Sequence, residues 1–219
     1  MTIRAQNTAT HADAAAPLRF GILVSGSSLS RWEAECLDHL KALPNPPLLS
    51  LVVMDAEASL RATPKKTFLG KVWSVGFRNI LFYLYQRHFL KFQSCTPVDI
   101  SKTVEGVPQI SCRTLKVGKF SQYFTKPDLK IIQSHDLDFI LRFGFNIIRG
   151  EILTSARFGV WSFHHDDEQV IRGGPAGFWE IVLGKKVTGA ILQRLTDTLD
   201  AGVILKKGFF KTNETSYEA

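Results

Sequence analysis

Toward the end of the run Gly159–His165 (GVWSFHH), a hydroxyl and two imidazoles stand almost side by side at Ser162, His164 and His165. On an extended chain successive side chains alternate, so Ser162 and His164 face one way and Phe163 and His165 the other. One of the two histidines therefore shares a pocket with Ser162. Imidazole titrates near neutrality and can move a proton, and a hydroxyl donates one hydrogen bond while accepting others. A histidine closing a strand also serves as an ordinary structural residue. The acidic run Asp166, Asp167 and Glu168 follows and suits an ammonium group, whereas it would repel a phosphate. Arg172, Gly173 and Gly174 lead into a predicted helix, whose free amides and dipole favour an anion. The turn Gly26, Ser27, Ser28 also precedes a predicted helix and could hold a substrate phosphate. Asp200 lies in a Leu-Asp-Ala-Gly turn, where a carboxylate can cap local backbone.

These side chains need a scaffold, and the apolar pattern supplies one. Arg19–Gly26 (RFGILVSG) reads as a buried strand and turn, and Ser27–Leu43 continues with helical spacing through Leu29, Trp32, Leu37 and Leu40. Pro44 to Pro47 break that helix, and Leu48–Met54 (LLSLVVM) follow as a second strand, which makes a βαβ unit with a parallel sheet. Residues 56–113 read as an inserted helical segment, with an apolar helical stretch from Lys71 to Phe92. A helix from Pro127 to Ser134, a strand Leu137–Gly144 (LDFILRFG) and a short helix from Gly150 to Arg157 lead to the strand bearing the histidines. Pro175–Leu183 reads as a helix with proline in its first turn and Gly184 at its end. Val187–Leu195 and Gly202–Phe210 read as paired strands. A doubly wound sheet delivers functional side chains at the carboxyl ends of its strands, which is where Ser162 and His164 fall.

The bulk properties bound the partners. A chain of 219 residues is long enough for one domain with a covered core, and three widely spaced cysteines suggest neither a disulfide framework nor a paired metal motif. The expectation is reduced thiols and no metal. No apolar run is long enough for a membrane span, and the N-terminus lacks the apolar core of a secretory signal, so a cytoplasmic protein is expected. The formal net charge of +7 favours an anionic partner, and the absence of an RNA-reading motif places a phosphorylated or nucleotide-linked small molecule ahead of nucleic acid. Residues 1–17 read as a flexible leader, 18–211 as the domain and 212–219 as a tail or linker.

From Leu137 to Leu205 the chain resembles the folate-dependent formyltransferases, a family that includes glycinamide ribonucleotide, methionyl-tRNA and nucleotide-sugar formyltransferases. The resemblance rests on SFH (Ser162–His164), RGGPAGFWE (Arg172–Glu180), TGAILQRL (Thr188–Leu195) and LDAGVIL (Leu199–Leu205), in the family's order and spacing. Upstream, FGILVSGSS is similar to the family's first strand and turn, and DFILRFGFNIIRGEIL (Asp138–Leu153) to the strand and loop that hold the pterin.

The resemblance implies an α/β, Rossmann-like three-layer domain with a mostly parallel sheet. It further implies a formyltransferase that moves a formyl group from 10-formyltetrahydrofolate, its cosubstrate, to a primary amine. His164, Asp200 and Ser162 would be catalytic, with His164 moving a proton or donating to an oxyanion and Asp200 orienting its ring. Phe143, Gly144, Phe145, Ile147 and Ile148 would hold the pterin; core packing is an equal reading of their apolar side chains. Ser27, Ser28, His165, Asp166, Arg172 and Gly173 would meet the acceptor amine. Two positions depart from the pattern. The family's asparagine, an oxyanion donor, is Ser162 here, and its Ser-Leu-Leu-Pro loop is replaced by the acidic residues after His165. A formyltetrahydrofolate hydrolase and a noncatalytic binding domain are the competing expectations, and a domain downstream would choose the acceptor.

Overall fold

The computed structural model describes residues 16–58, 93–118, 120–165, 167–170, 177–198 and 201–212. Its spine is β1 (Arg19–Val24), apolar almost throughout and buried from Phe20 onward. A strand reads this way only when both faces of its sheet are covered. Ile22 and Val24 belong to one core cluster with Leu37, Val52, Phe139 and Leu141, whereas Leu23 joins Leu51, Val53, Ile140, Ile148 and Val160 on the opposite face. Parallel neighbours flank β1: β3 (Leu48–Asp55) on one side and β8 (Phe139–Arg142) on the other.

The whole sheet has seven strands, in the order β12-β11-β10-β8-β1-β3-β5. The five from β10 (Val160–His165) to β5 (Gln109–Cys112) run parallel, and β11 (Val187–Arg194) and β12 (Val203–Lys211) add an antiparallel pair at the other edge. The α/β class with a mostly parallel sheet is thus as the sequence predicts. Strand β5 lies within the stretch read as inserted, so the end of that stretch is part of the central sheet. The predicted helix from Lys71 to Phe92 lies outside the described residues.

Helix α1 (Arg31–Lys41) connects β1 to β3. It begins later than its apolar spacing predicts, because Ser28–Ser30 (β2) pair antiparallel with β4 (Pro97–Asp99). The Glu33 carboxylate accepts the Ser30 N–H at 2.8 Å and caps the helix start. Helix α2 (Lys126–Gln133) starts with Pro127 in its first turn and Thr125 as its cap. The sequence pattern missed a small second sheet entirely: β6 (Thr114–Val117), β7 (Ser121–Phe124) and β9 (Ile147–Arg149). A 3-10 turn over Gly150–Thr154 and the short helix α3 (Phe178–Val182) complete the described elements. Helix α3 is entered through Gly177, and the residues before it that carry Pro175 lie outside the described set. Among the described residues no helix is long and apolar enough to cross a membrane.

Candidate functional site

Strand order decides where this sheet opens. From β1 the chain builds outward through β3 to β5, then returns to lay β8 on the other side of β1, so the crevice at the carboxyl ends of β1 and β8 is a topological switch point. Strand β8 ends there in Arg142. In the parallel register Arg142 lies beside Ser162 of β10, and Ser162 in turn lies opposite Gln193 of β11. In-register residues share a face, so these three side chains form a row across three strands, with His164 on the same face two residues beyond Ser162.

A cavity of about 290 Å³ covers this row, lined by Arg142, Ser162, His164 and Gln193 together with Ile147, Ile148, Arg149, Phe163, Leu195, Thr196, Thr198 and Gly202. His164, and not His165, shares it with Ser162, as the alternation of a strand requires. Phe163 faces the α1 side, where its ring meets Trp32 at 5.5 Å and Phe143 at 6.5 Å. His165 departs from strict alternation, since its ring stacks on His164 with centroids 4.8 Å apart. The His164 Nδ1 lies against the His165 carbonyl oxygen, so that nitrogen is engaged by backbone.

Arg142 is the residue that motif reading missed, and the best-anchored one in the cavity. Its Nη1 donates to Ser162 Oγ at 3.0 Å, its Nη2 to the carbonyls of Phe145 (3.3 Å) and Asn146 (3.0 Å), and its Nε again to Asn146 (3.2 Å). Phe145 has φ of 65°, a left-handed turn that an aromatic residue adopts at a cost of about 1 kcal/mol. That turn brings two successive carbonyls onto one guanidinium. Asn146 is fixed from behind, because its N–H donates to the buried Gln122, whose Nε2 donates to Thr114 Oγ1 at 2.6 Å. The small sheet thus serves as a buttress for Arg142.

The electrostatics follow from this lining. Arg142 and Arg149 bring two guanidinium groups to the cavity, and no described lining residue is a carboxylate. Burial favours the neutral form of Arg142 and lowers its pKa from the ordinary value. Arg149 is held by the Asp197 carbonyl and by Ser121 Oγ at 3.2 Å. Among the described residues no His, Cys, Asp and Glu group has an arrangement that could hold a metal ion.

The other expected site residues fall into three sets. Of the stretch 143–148, Ile147 and Ile148 reach the cavity, but Ile148 and Phe145 are core residues and Phe143 packs on the α1 face. Gly144 is required by packing, since a Cβ there would lie 2.5 Å from the backbone of Val24 and Ser25. Ser27 and Ser28 are exposed beyond β1; Ser28 begins β2, which runs to the N-terminus of α1, so the turn does not open a helix as its sequence predicts. Asp166, Arg172, Gly173 and Asp200 lie outside the described residues, although Thr198 and Gly202 on either side of Asp200 line the cavity.

Two glycines of the motifs quoted above acquire physical reasons here. A Cβ on Gly189, of the Thr-Gly pair, would lie 2.8 Å from the Asp167 backbone nitrogen, so glycine lets the loop after β10 rest on β11. Gly202 gives room to the Gln193 side chain, whose carboxamide would have to turn aside from a Cβ there.

Comparison with known proteins yields relatives in both sequence and fold. The chain is 30% identical over 115 residues to the methionyl-tRNA formyltransferase of Bacillus cytotoxicus, a match covering 52% of this chain and 34% of that protein. It therefore spans about a third of the length of that curated relative. Among solved structures, the phosphoribosylglycinamide formyltransferase of Anaplasma phagocytophilum matches with a TM-score of 0.54 at 17% identity, over 91% of this chain and 75% of that one. A formyltetrahydrofolate deformylase from Pseudomonas syringae pv. tomato matches with a TM-score of 0.51 at 14% identity, over 90% and 52%. No family model matches the chain.

Proposed function

For a chain with the fold of solved formyltransferases and 30% identity over 115 residues to a methionyl-tRNA formyltransferase, we propose a one-carbon transferase that uses 10-formyltetrahydrofolate at the Arg142, Ser162 and His164 cavity. The observation that carries this reading is a cationic cavity at the switch point, free of described carboxylates, with His164 on its wall. Transfer of a formyl group generates negative charge on oxygen and requires a proton to change places. The cavity has groups for both tasks.

The acceptor nitrogen attacks the formyl carbon, and the C=O electron pair moves onto oxygen. His164 takes the proton that the attacking amine sheds. As the C=O bond re-forms, the bond from carbon to N10 breaks, N10 receives the proton and tetrahydrofolate leaves beside a formamide. The role proposed for Asp200 is to orient the imidazole and favour its charged form. In this reading backbone from Phe143 to Ile148 would border the pterin, and Ser27, Ser28, His165, Asp166, Arg172 and Gly173 would meet the acceptor. The acceptor is a primary amine on a phosphorylated or nucleotide-linked small molecule, a class that includes amino sugars.

Water in place of the amine would give formate and tetrahydrofolate. The stacked His164 and His165 and the deformylase among the structural neighbours favour this second reading. One assay tests both: tetrahydrofolate release from 10-formyltetrahydrofolate, with and without a panel of nucleotide-linked amino sugars. Amine-dependent release is expected, reduced about 100-fold or more in His164→Ala. Equal release without amine makes the protein a hydrolase, and saturable folate binding with no release makes it a noncatalytic binding domain.

A further inference from the structure

A cation taken from water is costly unless an anion meets it, and Arg142 has no carboxylate partner among the described residues. A guanidinium has five N–H donors, of which the four hydrogen bonds to Ser162, Phe145 and Asn146 use all but one, on Nη1. Nη1 is also the nitrogen that reaches Ser162, on the cavity side. The Ser162 oxygen accepts from Arg142, and its hydroxyl also makes a long contact of 3.3 Å with the Phe163 carbonyl. Ser162 thus has one neutral donor for a developing oxyanion, whereas the unspent N–H of Arg142 carries a charge.

We propose that Arg142 is the catalytic oxyanion donor of this site, its Nη1 hydrogen-bonding the formyl oxygen while Ser162 acts as a positioning residue that aims the guanidinium. This assignment rests on the formyl-transfer reading. As the nucleophile's lone pair forms the new bond to carbon, the C=O pair becomes a full negative charge on oxygen, which Arg142 binds without giving up a proton. The pair returns when the bond from carbon to N10 breaks, and the nucleophile's proton ends on N10. An arginine here does what a neutral amide would do elsewhere, with a charge in addition, because charged hydrogen bonds are the stronger ones. Its anchors explain why it does not turn away: Phe145 and Asn146 hold one edge and Gln122 holds Asn146. Gln193 is the rival donor, since its carboxamide lines the same cavity opposite Ser162.

The test measures tetrahydrofolate release and tetrahydrofolate affinity for the wild type, Arg142→Ala, Arg142→Gln, Arg142→Lys, Ser162→Ala and Gln193→Ala. Arg142→Ala is expected to lower kcat about 100- to 1000-fold, the scale of a lost oxyanion donor, with folate affinity within a few-fold of the wild type. Free guanidinium ion should restore part of that loss, which a merely structural defect would not allow. Arg142→Gln, which keeps an anchored amide, covers the case in which the alanine variant fails to fold, and should lose kcat while Arg142→Lys retains more of it. Ser162→Ala should lose less than Arg142→Ala. The assignment is overturned if the Arg142 variants turn over within tenfold of the wild type, if they lose folate affinity in step with kcat, or if Gln193→Ala carries the loss instead. A wild type that releases no tetrahydrofolate sinks the formyl-transfer reading and this assignment with it. An active wild type with indifferent Arg142 variants sinks only the assignment.

Discussion

Cys112 illustrates how burial silences a reactive group. Its thiol is pushed up to about 12, chiefly by burial in β5 and then by the negative charge of Asp128, so almost no thiolate exists at neutral pH. Cys36 is half-buried and also raised, by burial first and then by Glu33, whereas Cys95 is exposed. A thiol reagent at mild pH should therefore label Cys95 rapidly, Cys36 slowly and Cys112 only in denaturant. Rapid labelling of Cys112 in the folded protein would contradict its placement. The histidines were legible in the sequence because strand alternation fixes which side chains share a face, and Ser162 with His164 obeys it. Arg142 was not legible. An arginine ending an apolar strand looks like a solvent-facing stop, and only the register between β8 and β10 places it beside Ser162. Gln193 was hidden in the same way, across the next strand pair.

At the scale of elements, the loop after β10 is tied to β12 by one lysine. Lys207 Nζ meets Asp167 Oδ1 at 2.9 Å and Glu168 Oε1 at 2.8 Å, bridging the acidic run to the sheet edge beside the cavity. The acidic loop thus has an internal cation before any acceptor arrives. Hydrogen bonding from Lys207, then from the Gln169 N–H, holds the Asp167 carboxyl below its ordinary value. Its contribution to stability is present above the unfolded value of about 4 and is lost as pH falls through the lower folded value. Hydrogen bonds to Glu168 and Asp167 raise Lys207, whose contribution is full below about 10.4 and is lost as pH rises through the higher folded value. Between those limits the tie holds. Acidification below about pH 4 should lower Tm by more in the wild type than in Lys207→Ala, and amide exchange over 167–170 should quicken in step. Identical acid slopes in the two proteins would show that the tie contributes nothing. The long parallel strands were readable because burial on both faces leaves a continuous apolar run. The strands β2, β4, β5, β6, β7 and β9 were not, since segments of three or four residues display no period, and none of these is the continuous apolar run that marks the equally short β8.

Across the whole molecule, a seven-stranded sheet sets the site and a three-stranded one braces it. The family landmarks were visible in the sequence as an ordered set of motifs. Their meaning came from packing: Gly189 admits the loop bearing Asp167, and Gly202 admits Gln193. The resemblance suggested an asparagine's role for Ser162, and the register adds an arginine neighbour that donates to its hydroxyl. The central claim is that a formylated tetrahydrofolate occupies the cavity bounded by Arg142, Ile147, Ser162 and His164. Calorimetric titration of the purified chain with 10-formyltetrahydrofolate, read together with amide exchange, tests it most directly. Saturable one-to-one binding is expected, with slowed exchange confined to residues 142–149 and 160–165. Absence of saturable binding, or protection that leaves both segments unchanged, would contradict it.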